Sequence, residues 1–169
     1  IKATIEEIRK FDFVQQKDNA EVVYEGYGVV ACITPWNFPI NQIQRKITPA
    51  ILAGNTVVVQ PPTNTPLTAL IYAEIIHESG LPKGVFNLIH GHGREGEYLT
   101  QSKDIDAVSF TGESKTGAAI MKTVADGVKE VSFELGGKNA AVVFADADFD
   151  AAVAGVARST FFNTGQVCM

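Results

Sequence analysis

Cysteine is scarce in this chain, with only Cys32 and Cys168 among 169 residues. Two such distant thiols do not make a disulfide framework, and a reducing, cytoplasmic setting is expected. Positive charge is also short: 14 Lys and Arg stand against 19 Asp and Glu, for a net charge of −5. No basic run extends beyond a residue or two, which argues against a nucleic-acid partner or an acidic membrane surface. No apolar run reaches the length of a membrane span, and Ile1 to Lys10 lacks the form of a signal peptide. The three histidines, His77, His90 and His92, have no metal-ligand spacing, so no metal site is expected. Internal repeats and low-complexity linkers are absent as well. The chain has no initiator methionine and ends one residue past Cys168, so it is expected to be a piece of a longer protein.

What is present is glycine, 15 residues of it, in a chain that is 46% apolar. The profile is that of an α/β protein. Val22 to Tyr24 and Gly28 to Ile33 read as strands. The second is a continuous apolar run, as expected of a strand buried on both faces. Ile40, Ile43, Ile47, Ala50 and Ile51 recur at helical spacing, closed by Gly54-Asn55, with Pro49 expected to kink the helix. Thr56 to Val59 is a further strand, and Thr65-Pro66 opens a helix that Gly80 stops. Val85 to Ile89, Ala107 to Phe110, Val131 to Leu135 and Ala140 to Phe144 read as strands. Two glycine-rich turns, Gly91 to Gly96 and Gly112 to Gly117, each lead into a helix. The last helix starts near Asp148, with Asp146 or Asp148 as its cap. Strands alternating with helices predict an α/β fold: a Rossmann-like open parallel sheet with flanking helices and its ligand loops along one edge.

The chemistry-bearing residues are individually ambiguous. Gly112 and Gly117 flank a strand-to-helix turn, where backbone N–H groups and the helix dipole favour phosphate, yet the turn is neither a P-loop nor G-x-G-x-x-G. Cys168 sits in a Gly-Gln-rich loop and is a nucleophile candidate, whereas Cys32 lies in an apolar strand and reads as packing. Glu134 interrupts an apolar strand before Gly136-Gly137, where a carboxylate is either paired or kept as a general base. Asn37 stands in the doubly proline-restricted loop Thr34 to Pro39, as a turn-stabilising side chain or an oxyanion donor.

Four motifs then occur together: Thr34-Pro35-Trp36-Asn37-Phe38-Pro39, Phe110-Thr111-Gly112, Phe133-Glu134-Leu135-Gly136-Gly137-Lys138 and Gly165-Gln166-Val167-Cys168. Their order and spacing resemble the aldehyde dehydrogenase superfamily, over nearly the whole chain from about Glu25. The resemblance implies part of a cofactor-binding domain over 1–134 and the truncated start of a catalytic domain over 135–169. It makes Cys168 the nucleophile toward a small-molecule aldehyde. Asn37 and the Cys168 N–H would hold the hemithioacetal oxyanion, and Glu134 would activate water against the thioester. For the cofactor it implies Ile33, Thr34 and Trp36 lining the cleft, Gln60 and Thr63 at the ribose, and Gly93, Gly96, Phe110, Thr111, Gly112, Glu113, Gly117 and Leu135 around the rest. NAD is the expected cofactor, with NADP as the alternative. Gln60-Pro61-Pro62-Thr63 replaces the family's usual Lys-Pro-Ser-Glu, and Glu113 replaces a small Ser. The glutamate and glycine segments are similar to the branch acting on muconic semialdehydes. A homo-oligomer is implied for the full-length enzyme, and little activity is expected of this stretch alone. The competing readings are a cofactor-independent thiol hydrolase or acyl transferase and a non-catalytic nucleotide-binding module.

Overall fold

The computed structural model describes residues 1–168. After helix α1 (Lys2–Ile8), strands β1 (Val14–Lys17) and β2 (Ala20–Val23) pair antiparallel in a small hairpin of their own. β2 covers part of the expected Val22 strand. Its partner, Val14-Gln15-Gln16-Lys17, is too polar to have been read as a strand. Five strands then form one parallel sheet: β3 (Val29–Ile33), β4 (Thr56–Gln60), β5 (Phe86–Leu88), β6 (Ala107–Gly112) and β7 (Glu130–Leu135), in the order β5-β4-β3-β6-β7. The chain begins this sheet at its centre and builds outward to one side, then crosses to the other. The reversal lies between β3 and β6, and the crevice beyond their carboxyl ends is where such sheets bind ligands.

The continuous apolar strands follow from this architecture, because both faces of the sheet are covered. Val30 and Cys32 of β3 and Val57 and Val59 of β4 point to one face and pack under α2 (Pro39–Leu52) and α3 (Pro66–Glu78). Val29, Ala31 and Ile33 point to the other, with Val108, Phe110, Ile120 and Val124, under α4 (Gly93–Gln101) and α5 (Ser114–Ala125). Each fully buried Val or Ile side chain contributes on the order of 1.5–3 kcal/mol by leaving water. Local pins fix where β3 starts: the Gly28 N–H donates to Asn55 Oδ1 at 3.1 Å and the Val29 N–H to Asp106 Oδ2 at 2.7 Å.

Helix ends obey their sequence signals. α2 begins at Pro39 and continues through Pro49 to Leu52. It closes in a Schellman turn, with the Gly54 N–H donating to Ile51 and the Asn55 N–H to Ala50, and Gly54 in the left-handed region at φ 87°. Asp148 is the cap of α6 (Phe149–Phe161), its carboxylate accepting the Ala151 N–H at 2.8 Å. One expectation fails. Ala140 to Phe144 is irregular and exposed, not a strand. β7 is the edge of the sheet, and among the described residues no strand pairs with its outer side, so β-branched composition has no ladder to join.

Candidate active site

At the carboxyl ends of β3, β4 and β6, the register sets Ile33 beside both Gln60 and Phe110. A cleft of about 670 Å³ opens there, on the α4 and α5 side. Of the residues expected from sequence, Ile33, Thr34, Trp36, Gln60, Thr63, Gly93, Gly96 and Phe110 line it. Thr111, Gly112, Glu113, Gly117 and Leu135 do not; they lie where β6 and β7 end and α5 begins. Gly117 has a packing role in this arrangement. A Cβ there would lie 2.7 Å from Leu135 Cδ2, so the glycine lets α5 sit against the end of β7.

Two helix faces complete the walls, and apart from Gly93 and Gly96 their residues were not singled out from sequence as lining a site. Gly93, Gly96, Glu97 and Thr100 form one face of α4, and Thr116, Ala119, Ile120 and Thr123 one face of α5. Each set has the i, i+3, i+4, i+7 spacing of a helical stripe. That helical periodicity was the available signal, muted because most of these residues, Gly, Thr and Ala, carry no distinctive chemistry.

The two glycine-rich turns differ at their helix starts. α4 is closed by a capping box: the His92 N–H donates to Glu95 Oε2 at 2.7 Å, and the His92 side chain accepts the Glu95 N–H. That His92 N–H bond, with the helix's own first turn, holds the Glu95 carboxyl below its ordinary pKa. An anion already occupies this helix start, and it is the protein's own. At α5 the Glu113 side chain makes no cap, so the first N–H groups of that helix remain available to an external anion.

Two buried acceptors in the cleft, Thr34 Oγ1 and Gln60 Oε1, have no hydrogen-bond partner among the described residues. Buried polar atoms are normally satisfied, and a ligand rich in hydroxyl and amide donors fits this pair. A nucleotide is such a ligand.

The thiol region meets the cleft through Asn37. Its Nδ2 donates to the Gln166 carbonyl at 2.9 Å, and Asn163 Nδ2 donates to the Asn37 carbonyl at 3.2 Å. The Phe38 and Phe162 rings stack with centroids 6.1 Å apart. The loop after β3 is thereby tied to the turn that carries exposed Cys168. The 3₁₀ segment at Phe162–Gly165 that leads to it holds Asn163 and Thr164 at φ 50° and 56°, before Gly165 at 74°. A β-branched residue in the left-handed region is strained backbone, of the sort that clusters at functional turns.

Glu134 stands exposed on β7 beside Thr111 of β6 and forms no ion pair among the described residues. Its charge is felt by Lys46 of α2, which is buried and donates to Ser109 Oγ at 3.0 Å. Burial lowers the Lys46 pKa to about 8, with Cys32 and Glu134 opposing the shift. Burial pushes the Cys32 thiol up to about 12, so that cysteine is inert packing.

The fold recurs in known proteins. The family described as Aldehyde dehydrogenase family matches residues 2–169. A 2-aminomuconic 6-semialdehyde dehydrogenase from a Pseudomonas species is 54% identical over 144 residues, covering 84% of this chain and 29% of its own length. The crystal structure of an aldehyde dehydrogenase from Bartonella henselae superposes with a TM-score of 0.94 at 42% identity, over 99% of this chain and 36% of that one. A mutant aldehyde dehydrogenase C from Pseudomonas syringae, solved with NAD+ and octanal, gives 0.93 at 40% identity, over 98% and 35%. The chain therefore spans about a third of the length of these relatives. With its parallel sheet, its cleft and its Asn37-tethered thiol turn all within the matched stretch, the chain belongs to the aldehyde dehydrogenase family.

Proposed function

We propose that the protein of which this chain is part oxidises an aldehyde to the carboxylic acid, with NAD(P) as cofactor and Cys168 as nucleophile. The observation that carries this is the Asn37 tether, which ties the cleft loop to the cysteine turn. Ile33, Thr34, Trp36, Gln60, Thr63, Gly93, Gly96 and Phe110 hold the dinucleotide in the cleft, and the uncapped α5 start near Gly112 and Glu113 takes its phosphates. The nicotinamide, when bound, supplies the hydride acceptor.

The Cys168 thiolate adds to the aldehyde carbon, forming a hemithioacetal. Asn37 spends one of its two amide hydrogens on Gln166, leaving the second for the oxyanion alongside the Cys168 N–H. Glu134 accepts a proton from the water that hydrolyses the thioester, releasing the acid. Residues 1–134 then belong to the cofactor-binding domain and 135–169 to the start of the catalytic domain. The muconic semialdehyde relative indicates a semialdehyde of that class as substrate. A homo-oligomer in the cytoplasm completes the reading. No helix of the described residues is long and apolar enough to cross a membrane.

The test is initial rates of NAD(P)H formation by the full-length enzyme over an aldehyde panel that includes a muconic semialdehyde. Cys168→Ala should lower turnover by at least about 10³-fold while leaving dinucleotide binding intact. Turnover persisting in that variant removes Cys168 from the chemistry.

A further inference from the structure

We propose that Asn163 is a positioning residue for the aldehyde chemistry: its side-chain amide aims the free N–H of Asn37 at the oxyanion, and losing it misdirects that N–H without disarming Cys168. This rests on the roles given to Asn37 and Cys168 above.

Three residues close a ring between the loop after β3 and the turn before Cys168. Asn37 Nδ2 donates to the Gln166 carbonyl at 2.9 Å. Asn163 Nδ2 donates to the Asn37 carbonyl at 3.2 Å and to the Gln166 carbonyl at 3.4 Å. Each amide has one workable orientation, because turning it over would set its oxygen against a carbonyl oxygen. Asn37 Oδ1 is buried and has no partner among the described residues. The Asn37 side chain is therefore anchored at Nδ2 alone, and one hydrogen bond leaves it free to turn about the bond axis. The second anchor is the Asn37 carbonyl, and Asn163 holds it. An amide is planar, so two anchors settle where the remaining Nδ2 hydrogen points. The Phe38–Phe162 stack joins the same two segments, but apolar contact is non-directional and aims nothing.

The backbone at Asn163 serves a separate purpose. It lies in the left-handed region at φ 50° and ψ 38°, which asparagine enters more readily than most side chains. Its carbonyl accepts the Gln166 N–H at 3.1 Å and the Thr164 hydroxyl at 2.6 Å, closing the turn. Glycine at 163 keeps this backbone and deletes the amide. Aspartate keeps the shape but turns acceptors toward two carbonyls.

The chemistry gives a clean discriminator. When the Cys168 sulfur adds to an aldehyde, the C–S bond forms as the carbonyl π pair moves onto oxygen, where donors must already be in place. Alkylation of the same sulfur by iodoacetamide expels iodide and builds no oxyanion, so it reads the thiol alone.

The test is steady-state kinetics on the full-length enzyme, with the panel aldehyde of highest kcat/KM. Asn163→Gly and Asn163→Asp should lower kcat and kcat/KM together by about ten- to a hundredfold, the cost of a donor misplaced by about an ångström. NAD+ binding and the rate of Cys168 alkylation by iodoacetamide should stay within about twofold of wild type, since neither uses the oxyanion donor. In an Asn37→Ala background, Asn163→Gly should change kcat by less than about twofold, because the group it positions is gone. An equal loss in that background, unchanged kcat in both Asn163 variants, or alkylation falling in step with kcat overturns the positioning role and leaves the proposed reaction standing. Full activity in Asn37→Ala itself removes Asn37 from the chemistry and overturns both.

Discussion

Between β3 and α5 the chain encloses the valines of its central strands and the sheet-facing isoleucines of its helices; after β7 it displays its valines and phenylalanines. Val57, Val59, Ile43 and Val108 are almost wholly enclosed, whereas α6 has no buried residue and Phe144 and Phe149 are 74% and 77% exposed. Apolar composition is common to both stretches, so composition does not explain the difference. In the first, every element has a neighbour on the sheet. The second is held by a few specific contacts at its far end, chiefly Asn37, Asn163 and the Phe38–Phe162 pair. The cleft is thus built entirely from the packed region. The thiol turn borrows its position from that region through one loop.

The sharpest way to break the contrast is to remove matched apolar groups from the two sides. Ile43→Ala leaves a cavity under the sheet and should cost about 2–5 kcal/mol in denaturant unfolding. Phe144→Ala should stay within about 0.5 kcal/mol. Equal losses would show that the tail is packed as the sheet is.

Within the packed region, Lys46 and Cys32 should give opposite pH signatures. A lysine lowered from 10.5 to about 8 binds fewer protons folded than unfolded, so its contribution rises with pH across that window. A thiol raised from 9.0 to about 12 keeps its proton longer folded, so its contribution falls from pH 9 upward. Lys46→Met should be about 1–2 kcal/mol more stable at pH 7 and should lose the rise while keeping the fall. Unfolding midpoints measured from pH 7 to 11 decide it, and a rise that survives the substitution refutes the assignment to Lys46.

The smallest expected effect belongs to the tail. Thr164→Gly relieves the left-handed backbone, worth about 1 kcal/mol locally, and should alter amide exchange only near residues 162–168. Altered protection in β3 or β4 would mean that the turn and the sheet open together.

The same contrast governs how much was legible in sequence. Strands β3, β4 and β6 were readable because burial on both faces demands unbroken apolar runs, and glycines mark where the helices stop. Val142 and Val143 carry the same letters but find no strand to pair with, and pairing is a property of neighbours. β1 was hidden for the reverse reason, a polar hairpin strand with no core face. At the site, Ile33, Gln60 and Phe110 were named through the family resemblance, and the sheet sets all three at the carboxyl ends of neighbouring strands. Thr100, Thr116 and Thr123 were not, because a helix face made of small residues acquires meaning only when another wall stands opposite.

The contact between Gly117 and Leu135 has a mechanical consequence. A single missing methyl sets the spacing between α5, whose start faces the cleft edge, and the peptide that follows Glu134. Helix and strand end act there as two plates of one gauge. The candidate carboxylate and the candidate phosphate-binding turn keep their separation by direct abutment, with no loop between them to absorb slack.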